Sequence, residues 1–297
     1  MSTLQDLASL IARYTEDDGV RDTAVPRVSI VRISRPSEPV HGVHKAAICI
    51  VAQGRKQLMV ADDVYCYEPS QQLLVSLDLP LIGQVIDASE DEPYLSMKLE
   101  LDPDLCTEML LKVPPAPAET GFGLSISKTE PALLDAMIRL LRLHETPDDI
   151  AELAPLIERE ILYRLLKSGQ AGFIRRILEP QHRHRHVGRA ITWIQENYAR
   201  AFTIEEVASL SGMSASSLHQ HFREATAMSP LQYQKQLRLQ EARRLILTRS
   251  LDAATAGHSV GYESPSQFSR EYKRLFGAPP QRDIERLRAQ PERYAAV

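Results

Sequence analysis

Two stretches in the last third of the chain carry hydrogen-bonding side chains at the spacing one helix face requires. In the first, Ser216, Ser217, His219, Gln220 and Arg223 are grouped around Leu218 and Phe222, an apolar pair four residues apart. In the second, Ser266, Gln267, Arg270, Lys273 and Arg274 are grouped around Phe268 and Tyr272, again four apart. A short helix with this pattern buries its apolar pair and turns donors, acceptors and cations outward. Such a face suits a polyanion, and double-stranded DNA in particular. The charge distribution agrees in sign: residues 181–297 hold 17 Lys and Arg against 11 Asp and Glu, a balance of +6, while the rest of the chain stands at −10. A basic part joined to an acidic part predicts two jobs, the basic part facing the polyanion.

The elements that must position these faces are legible on either side. Thr203-Ile204-Glu205-Glu206 has the form of a capping box, and Ile204, Val207, Ala208 and Leu210 predict an apolar helix face behind it. Gly212 can take the left-handed conformation that ends that helix, and Ser214 can cap the next, Ala215 to Ala225. Helix, glycine turn and short polar helix make a helix-turn-helix. Ser229-Pro230 then opens a long helix with Gln232 in the capping-box position, continuing through Tyr233, Leu237, Ala242, Leu245 and Ile246. At 1.5 Å per residue, 230–248 spans roughly 28 Å, against roughly 34 Å between successive major grooves on one face of DNA. A second unit follows: Asp252 to Val260 as a helix, Gly261-Tyr262 as the turn, and Ser264-Pro265-Ser266-Gln267 as the capped start of the second polar helix.

The segment Val260-Gly261-Tyr262-Glu263-Ser264-Pro265-Ser266-Gln267-Phe268-Ser269-Arg270-Glu271-Tyr272-Lys273-Arg274-Leu275-Phe276-Gly277-Ala278-Pro279-Pro280 resembles the signature of the AraC/XylS family of transcription regulators. Ser229 to Tyr233 and Leu237 to Arg243 resemble that family's central helix, so the likeness covers about 100 residues. It implies a reading head of two helix-turn-helix units, sequence-specific DNA binding under control of a small-molecule effector, and RNA polymerase as a further partner of an activator. By position, base-edge contacts would come from Ser216, His219 and Gln220 in the first unit and from Ser266 in the second, with Arg270 at a guanine or a phosphate. Lys273 and Arg274 would touch phosphate, and Ser217, Arg223 and Gln267 share the same outward faces. A solvated helix face is the bland alternative for each. One departure stands out: the family usually has an Ile-Ala pair where this chain has Ala256-Gly257. Loss of a large buried side chain together with a mid-helix glycine predicts a second unit less stable by a few kcal/mol.

The first 170 residues read differently. Short apolar or alternating runs at Val28–Val31, Ala46–Val51, Gln57–Val60, Leu73–Leu77, Leu81–Ile86 and Tyr94–Leu99 alternate with turn residues, predicting an antiparallel sandwich or barrel. The pair His41 and His44 is expected in a loop before the first strong strand. Helical stripes follow at Leu133, Leu134, Met137, Leu140 and Leu141, then at Leu153, Leu156, Ile157, Ile161, Leu165 and Leu166. They pack either on their own domain or partly on a second copy, giving a homodimer. The run from Ala46 to Lys56, with Tyr65, Tyr67, Leu77 to Pro80 and Pro93-Tyr94, is similar to one N-terminal subclass of the same regulators, which implies a cupin-like barrel. On that likeness Cys49, Gln53, Lys56, Cys66 and Tyr94 are the candidate effector-binding residues; Cys49 and Cys66 could also react with an electrophile, against the plain reading of small buried hydrophobes.

The expected fold class is therefore α+β in two domains: 1–170, a cupin-like antiparallel β-barrel with flanking helices that senses and dimerises; 171–187, a linker; 188–297, an all-α double helix-turn-helix. Three cysteines without CxxC spacing argue against a disulfide framework and a structural zinc site. No run approaches the roughly 20 apolar residues of a membrane span, and the N-terminus lacks a signal-peptide pattern, so a cytoplasmic protein without membrane contact is expected. His41 and His44 are too few for a cupin metal site, and the alternation of His182, His184 and His186 with arginine opposes a cation. No metal, no cofactor and no enzymatic activity are expected. Two alternatives remain: a metal-binding cupin enzyme fused to a DNA-binding domain, and an architectural DNA-binding protein without a ligand.

Overall fold

The computed structural model describes residues 3–60, 63–75, 79–112, 123–170, 172–174, 182–249 and 251–289. The chain opens with helix α1 (Leu4–Tyr14), which Thr3 caps by accepting from the Asp6 N–H while the Asp6 carboxylate accepts from the Thr3 N–H. Nine strands follow before the next helix: β1 (Gly19–Asp22), β2 (Val28–Ile33), β3 (Val40–His44), β4 (Ala47–Gln53), β5 (Arg55–Val60), β6 (Asp63–Tyr67), β7 (Gln71–Val75), β8 (Leu79–Asp87) and β9 (Tyr94–Glu100). Helix α2 (Pro103–Leu110), strand β10 (Leu124–Lys128), helix α3 (Pro131–Arg142) and helix α4 (Ile150–Lys167) complete this half.

All strand pairings are antiparallel, and they form two sheets, ordered β1-β2-β9-β4-β7-β10 and β3-β8-β5-β6. Strand alternation sends Val31, Cys49, Val51, Leu73, Val75 and Tyr94 inward from the first sheet, to meet Leu58, Val60, Tyr67, Leu81 and Val85 from the second. The other face of the first sheet, with Ile30, Ile48, Ile50, Leu74, Met97 and Leu99, packs against the apolar stripes of α1, α2, α3 and α4. Cover on both faces explains why β4 reads as a nearly unbroken apolar run, whereas β9 sets Ser96 and Lys98 between Leu95, Met97 and Leu99. The sharp crossing from β4 to β5 requires Gly54: its φ is +76°, and a Cβ there would lie 2.6 Å from the Asp87 carbonyl oxygen and 2.9 Å from the Tyr94 Cα. This is the cupin-like α+β arrangement expected.

Three details differ from expectation. His41 and His44 lie in an edge strand, β3, not in a loop. Strands β1, β6 and β10 also lie at sheet edges, and the largely exposed β1 offers no apolar alternation to betray it. On α4 the predicted stripe divides: Ile161, Leu165 and Leu166 are buried, whereas Leu153 and Leu156 are 42% and 63% exposed.

The C-terminal half is helical: α5 (His182–Glu196), α6 (Ile204–Leu210), α7 (Ala215–Thr226), α8 (Pro230–Arg249), α9 (Ala253–Ser259), α10 (Pro265–Phe276) and α11 (Pro280–Ala289). Of the expected linker, 171–187, residues 171 and 175–181 lie outside the described residues; Phe173 and Ile174 are buried in the core of the first half, and the chain is helical from His182. Two cores form here. The first joins Val187, Ile191 and Ile194 of α5 to Val207, Leu218, Phe222 and Tyr233. The second joins Leu239, Ala242, Leu245 and Ile246 of α8 to Val260, Phe268, Tyr272, Ile284 and Leu287. Helix α8 thus supplies apolar residues to both cores, its N-terminal half to one and its C-terminal half to the other.

Candidate nucleic-acid interface

The two units repeat the same local construction. In the first, Thr203 accepts from the Glu206 N–H and Ser214 from the Ser217 N–H. In the second, Asp252 accepts from the Ala254 and Thr255 N–H groups and Ser264 from the Gln267 N–H. The turns match bond for bond. The Met213 N–H donates to the Ala208 carbonyl (2.8 Å) and the Tyr262 N–H to the Gly257 carbonyl (3.0 Å), each across a glycine in the left-handed region, Gly212 at φ +70° and Gly261 at φ +90°. These long-range bonds satisfy carbonyls that a helix end would otherwise leave orphaned.

The capping boxes close only in part. At Ser229 both bonds form: the Gln232 N–H reaches Ser229 Oγ at 3.3 Å, and the Ser229 N–H reaches Gln232 Oε1 at 2.9 Å. Glu206 instead pairs with Arg200, and Gln267 turns toward Glu271 at 3.4 Å. Leu210, expected in the apolar face of α6, is 54% exposed. At Ala256-Gly257 the Phe268 ring packs directly on the helix: a Cβ on Gly257 would sit 2.9 Å from its Cγ, so the close approach of α9 to α10 requires glycine there.

Each second helix presents the predicted side chains to solvent. Ser216, His219, Gln220 and Arg223 on α7, and Ser266, Gln267, Arg270, Lys273 and Arg274 on α10, are exposed; Ser217 is half-buried and accepts from the Ser214 hydroxyl at 3.0 Å. Both helices border one cleft of ≈ 830 Å³, where Ser216, His219, Gln220 and Arg223 face Glu271 and Arg274 across Gln232, Lys235 and Gln236 of α8. Gln267 and Arg270 continue it in an adjoining hollow that shares Glu271 and Arg274. Ser217, Ser266 and Lys273 do not line either one. The floor residues Gln232, Lys235 and Gln236 lie outside the expected set, because the apolar pattern of their helix marks it as a spacer; the signal that finds them is their i, i+3, i+4 spacing. Glu271 is held in place from three sides: Tyr262 Oη donates to it at 2.9 Å, Gln267 approaches at 3.4 Å and Lys235 Nζ stands at 3.3 Å. Burial alone would raise its pKa, but these partners outweigh burial and leave the carboxyl below its ordinary value.

The candidate effector residues separate into two sets. Cys49, Lys56 and Tyr94 are buried in the interior between the sheets, and Tyr67 joins them. Desolvation pushes the Lys56 ammonium down to about 8, with Lys98 adding to the effect and Cys49 opposing it. Desolvation raises the Cys49 thiol and the Tyr67 and Tyr94 phenols. Gln53 lies outside this cluster, donating to the Pro93 carbonyl at 2.9 Å, and Cys66 is exposed on β6. Among the described residues no three His, Cys, Asp or Glu side chains gather as a metal site, and no helix is long and apolar enough to cross a membrane.

A two-sheet domain joined to paired helix-turn-helix units defines a class, and comparison with known proteins places the chain in it. Residues 24–173 match the family model of the AraC-type transcriptional regulator N-terminus, and residues 207–286 match a helix-turn-helix domain. The chain belongs to the AraC-type family of transcriptional regulators. It is 35% identical over 105 residues to the RCS-specific HTH-type transcriptional activator RclR of Escherichia coli, covering 35% of this chain and 37% of that one. It is 27% identical over 161 residues to the HTH-type transcriptional regulator ArgR of Pseudomonas aeruginosa, covering 53% and 47%. The chain thus spans between about a third and a half of the length of these curated relatives. The crystal structure of ToxT from Vibrio cholerae O395 shares the fold, with a TM-score of 0.58 at 11% identity over 87% of this chain and 96% of that one. Wild-type ToxT with a bound unsaturated fatty acid gives 0.58 at 12%, over 87% and 93%.

Proposed function

We propose that this protein is a sequence-specific DNA-binding regulator of transcription, switched by a small molecule held in the N-terminal domain. The observation that carries the reading is the shared cleft: two capped, polar, exposed helices stand on one side of α8, a rod of about 30 Å for 20 residues. That length approaches the roughly 34 Å repeat of the double helix. Ser216, His219, Gln220 and Ser266 then read base edges, Arg270 pairs with guanine, and Arg223, Lys273 and Arg274 hold phosphates. The buried Lys56, Cys49, Tyr67 and Tyr94 cluster supplies the polar pole of an otherwise apolar interior, where an effector would be oriented. The exposed Leu153 and Leu156 on α4 support a homodimer through that helix. The reading also places the protein in the cytoplasm, with RNA polymerase as its further partner and no enzymatic activity of its own.

The test is selection of random duplexes by the purified full chain, followed by binding of Arg270→Ala to the selected site and to unrelated DNA. Loss concentrated on the selected site, about 1–3 kcal/mol for a bidentate guanine contact, supports the reading. Equal loss on both assigns Arg270 to phosphate. Failure to enrich any sequence overturns the function proposed.

A further inference from the structure

The two helix-turn-helix units meet backbone to backbone at one place, and one side chain spans the meeting point. Gly261, in the turn of the second unit, lies against Ala199, in the loop that leads into the first. A Cβ on Gly261 would come within 1.8 Å of the Ala199 carbonyl oxygen and 2.7 Å of its carbon. Arg238, near the middle of α8, directs its guanidinium into this junction. Its Nε donates to the Tyr198 carbonyl at 2.6 Å and its Nη2 to the Ala199 carbonyl at 3.2 Å. Its Nη1 donates to the Gly261 carbonyl at 3.0 Å. One turn earlier on the same helix, Gln234 Nε2 donates to the Tyr198 and Arg200 carbonyls at 2.9 and 2.7 Å, fixing the first-unit side of the junction from a second point.

We propose that Arg238 is a positioning residue that sets the distance and twist between the two reading helices, and so determines which separation of DNA half-sites a single chain accepts. This rests on the DNA-reading function proposed above. Helix α8 by itself joins the units through one rod, about whose axis each can rotate and along which each can tilt. The Arg238 fork adds a second link off that axis, with three donors of fixed relative direction aimed at carbonyls of both units. Its Gly261 bond is the one that crosses to the second unit, while the Nε and Nη2 bonds anchor the same planar group in the first. Lysine, with a single nitrogen on a flexible stem, keeps the charge but cannot hold three carbonyls in one plane. The fork is aligned further by the Tyr262 ring, whose centroid lies 5.9 Å from the guanidinium carbon, and Tyr262 in turn bonds Glu271 on the second reading helix. The scale of the effect follows from DNA: one base pair is about 3.4 Å of rise and roughly 35° of turn. A clamp that restricts relative motion below that step discriminates spacings, and its loss lets adjacent spacings be accommodated.

The experiment uses the full chain and the site it selects from random DNA, together with the same site carrying one base pair more or one fewer between the two contacted segments. Wild type is expected to lose at least about tenfold in affinity on either altered spacing, comparable to one lost base contact. For Arg238→Lys and Arg238→Ala the preference is expected to fall to about threefold or less, with tighter binding to the altered sites relative to the parent site. A purely structural role for Arg238 predicts something different: a uniform loss on all three duplexes with the spacing ratio unchanged, and that result overturns the proposal. Melting curves establish that each variant is folded; Arg238→Lys, which preserves charge and stem, carries the test if Arg238→Ala does not fold. If wild type enriches a sequence but binds the three spacings equally, the clamp fails while the DNA-reading function stands. If it enriches none, the function itself fails and this proposal with it.

Discussion

Lys56 is a cation enclosed by the sheets, 4% exposed, beside Cys49 in the interior that Tyr67 and Tyr94 also line. Burying an ammonium costs free energy, and here desolvation shows as a pKa pushed down to about 8 from 10.5. The unfolded chain therefore holds this proton up to about pH 10.5, the folded chain only to about pH 8. Between those values the unfolded state binds more protons, so the Lys56 contribution makes folding more favourable as pH rises, and below about pH 8 its full penalty is present. The interval corresponds to roughly 3 kcal/mol at about 1.4 kcal/mol per pH unit. Cys49, whose thiol is raised by the same burial, acts in the opposite sense above pH 9. Lys56→Met isolates the lysine. The variant is expected to be more stable than wild type at pH 7 and to lose most of that advantage by pH 9.5, as read from urea unfolding at each pH. A constant difference across the range would show that Lys56 is not the titrating group. The same substitution should weaken any effector whose polar end is held by the ammonium.

Among the elements, α4 shows an apolar face to solvent. Ile161, Leu165 and Leu166 point into the core under the first sheet, whereas Leu153 and Leu156, with Ile157, border a shallow hollow of ≈ 420 Å³ flanked by Arg139, Arg142 and Glu160. Exposed leucines on consecutive turns of one helix, rimmed by charge, suit a matching helix of a second copy. The double variant Leu153→Glu, Leu156→Glu is expected to convert a dimer to a monomer in sedimentation velocity with little change in melting temperature, because neither side chain supports the chain's own core. A wild type that sediments as a monomer at every concentration would remove the dimer from the functional picture. This element also shows what a sequence discloses. Periodicity finds the apolar stripe but cannot say whether the chain itself covers it, so Leu153 and Leu165 look equivalent until the fold is known. Caps and turns are another matter: Ser214, Ser264, Gly212 and Gly261 act on backbone within a few residues, and both helix-turn-helix units were legible for that reason. Edge strands β1 and β10 were not, since half-exposed pairing leaves no alternation to read. Arg238 was invisible as a clamp because its partners, Tyr198 and Gly261, lie 40 and 23 residues away and are backbone carbonyls, which carry no sequence mark.

Across the whole molecule the two-sheet domain leans on the helical one where the first reading helix ends. The Gly123 N–H donates to the Ala225 carbonyl at 3.1 Å, the Ala227 methyl packs against the inter-sheet core, and α8 runs beside β3 and β8. Ala227 is in the left-handed region at φ +60°, where a side chain costs roughly 1–2 kcal/mol. The matching cap in the second unit is Gly277 at φ +78°, and a Cβ there would meet nothing within 4 Å. The contrast indicates that the methyl is tolerated at Ala227 because it touches the neighbouring domain, and burying one carbon offsets about 0.8 kcal/mol of the strain. Ala227→Gly removes strain and contact together and makes the unfolded chain more flexible by about 0.4–1 kcal/mol, so the net change in stability is expected to be small. What should change is local: without the methyl against the inter-sheet core, the neighbouring Gly123–Ala225 bond is expected to open more often, so that hydrogen exchange at the Gly123 amide accelerates by about tenfold or more while amides in β4 and β9 stay protected. If exchange at Gly123 is unaltered and the melting temperature instead falls by several degrees, Ala227 acts only within its own helix cap. In that case the contacts of β3 and β8 with α8, and the hollow that Glu38 and Pro39 share with Arg243 and Phe276, are the routes left by which the two-sheet domain could bias the first reading helix.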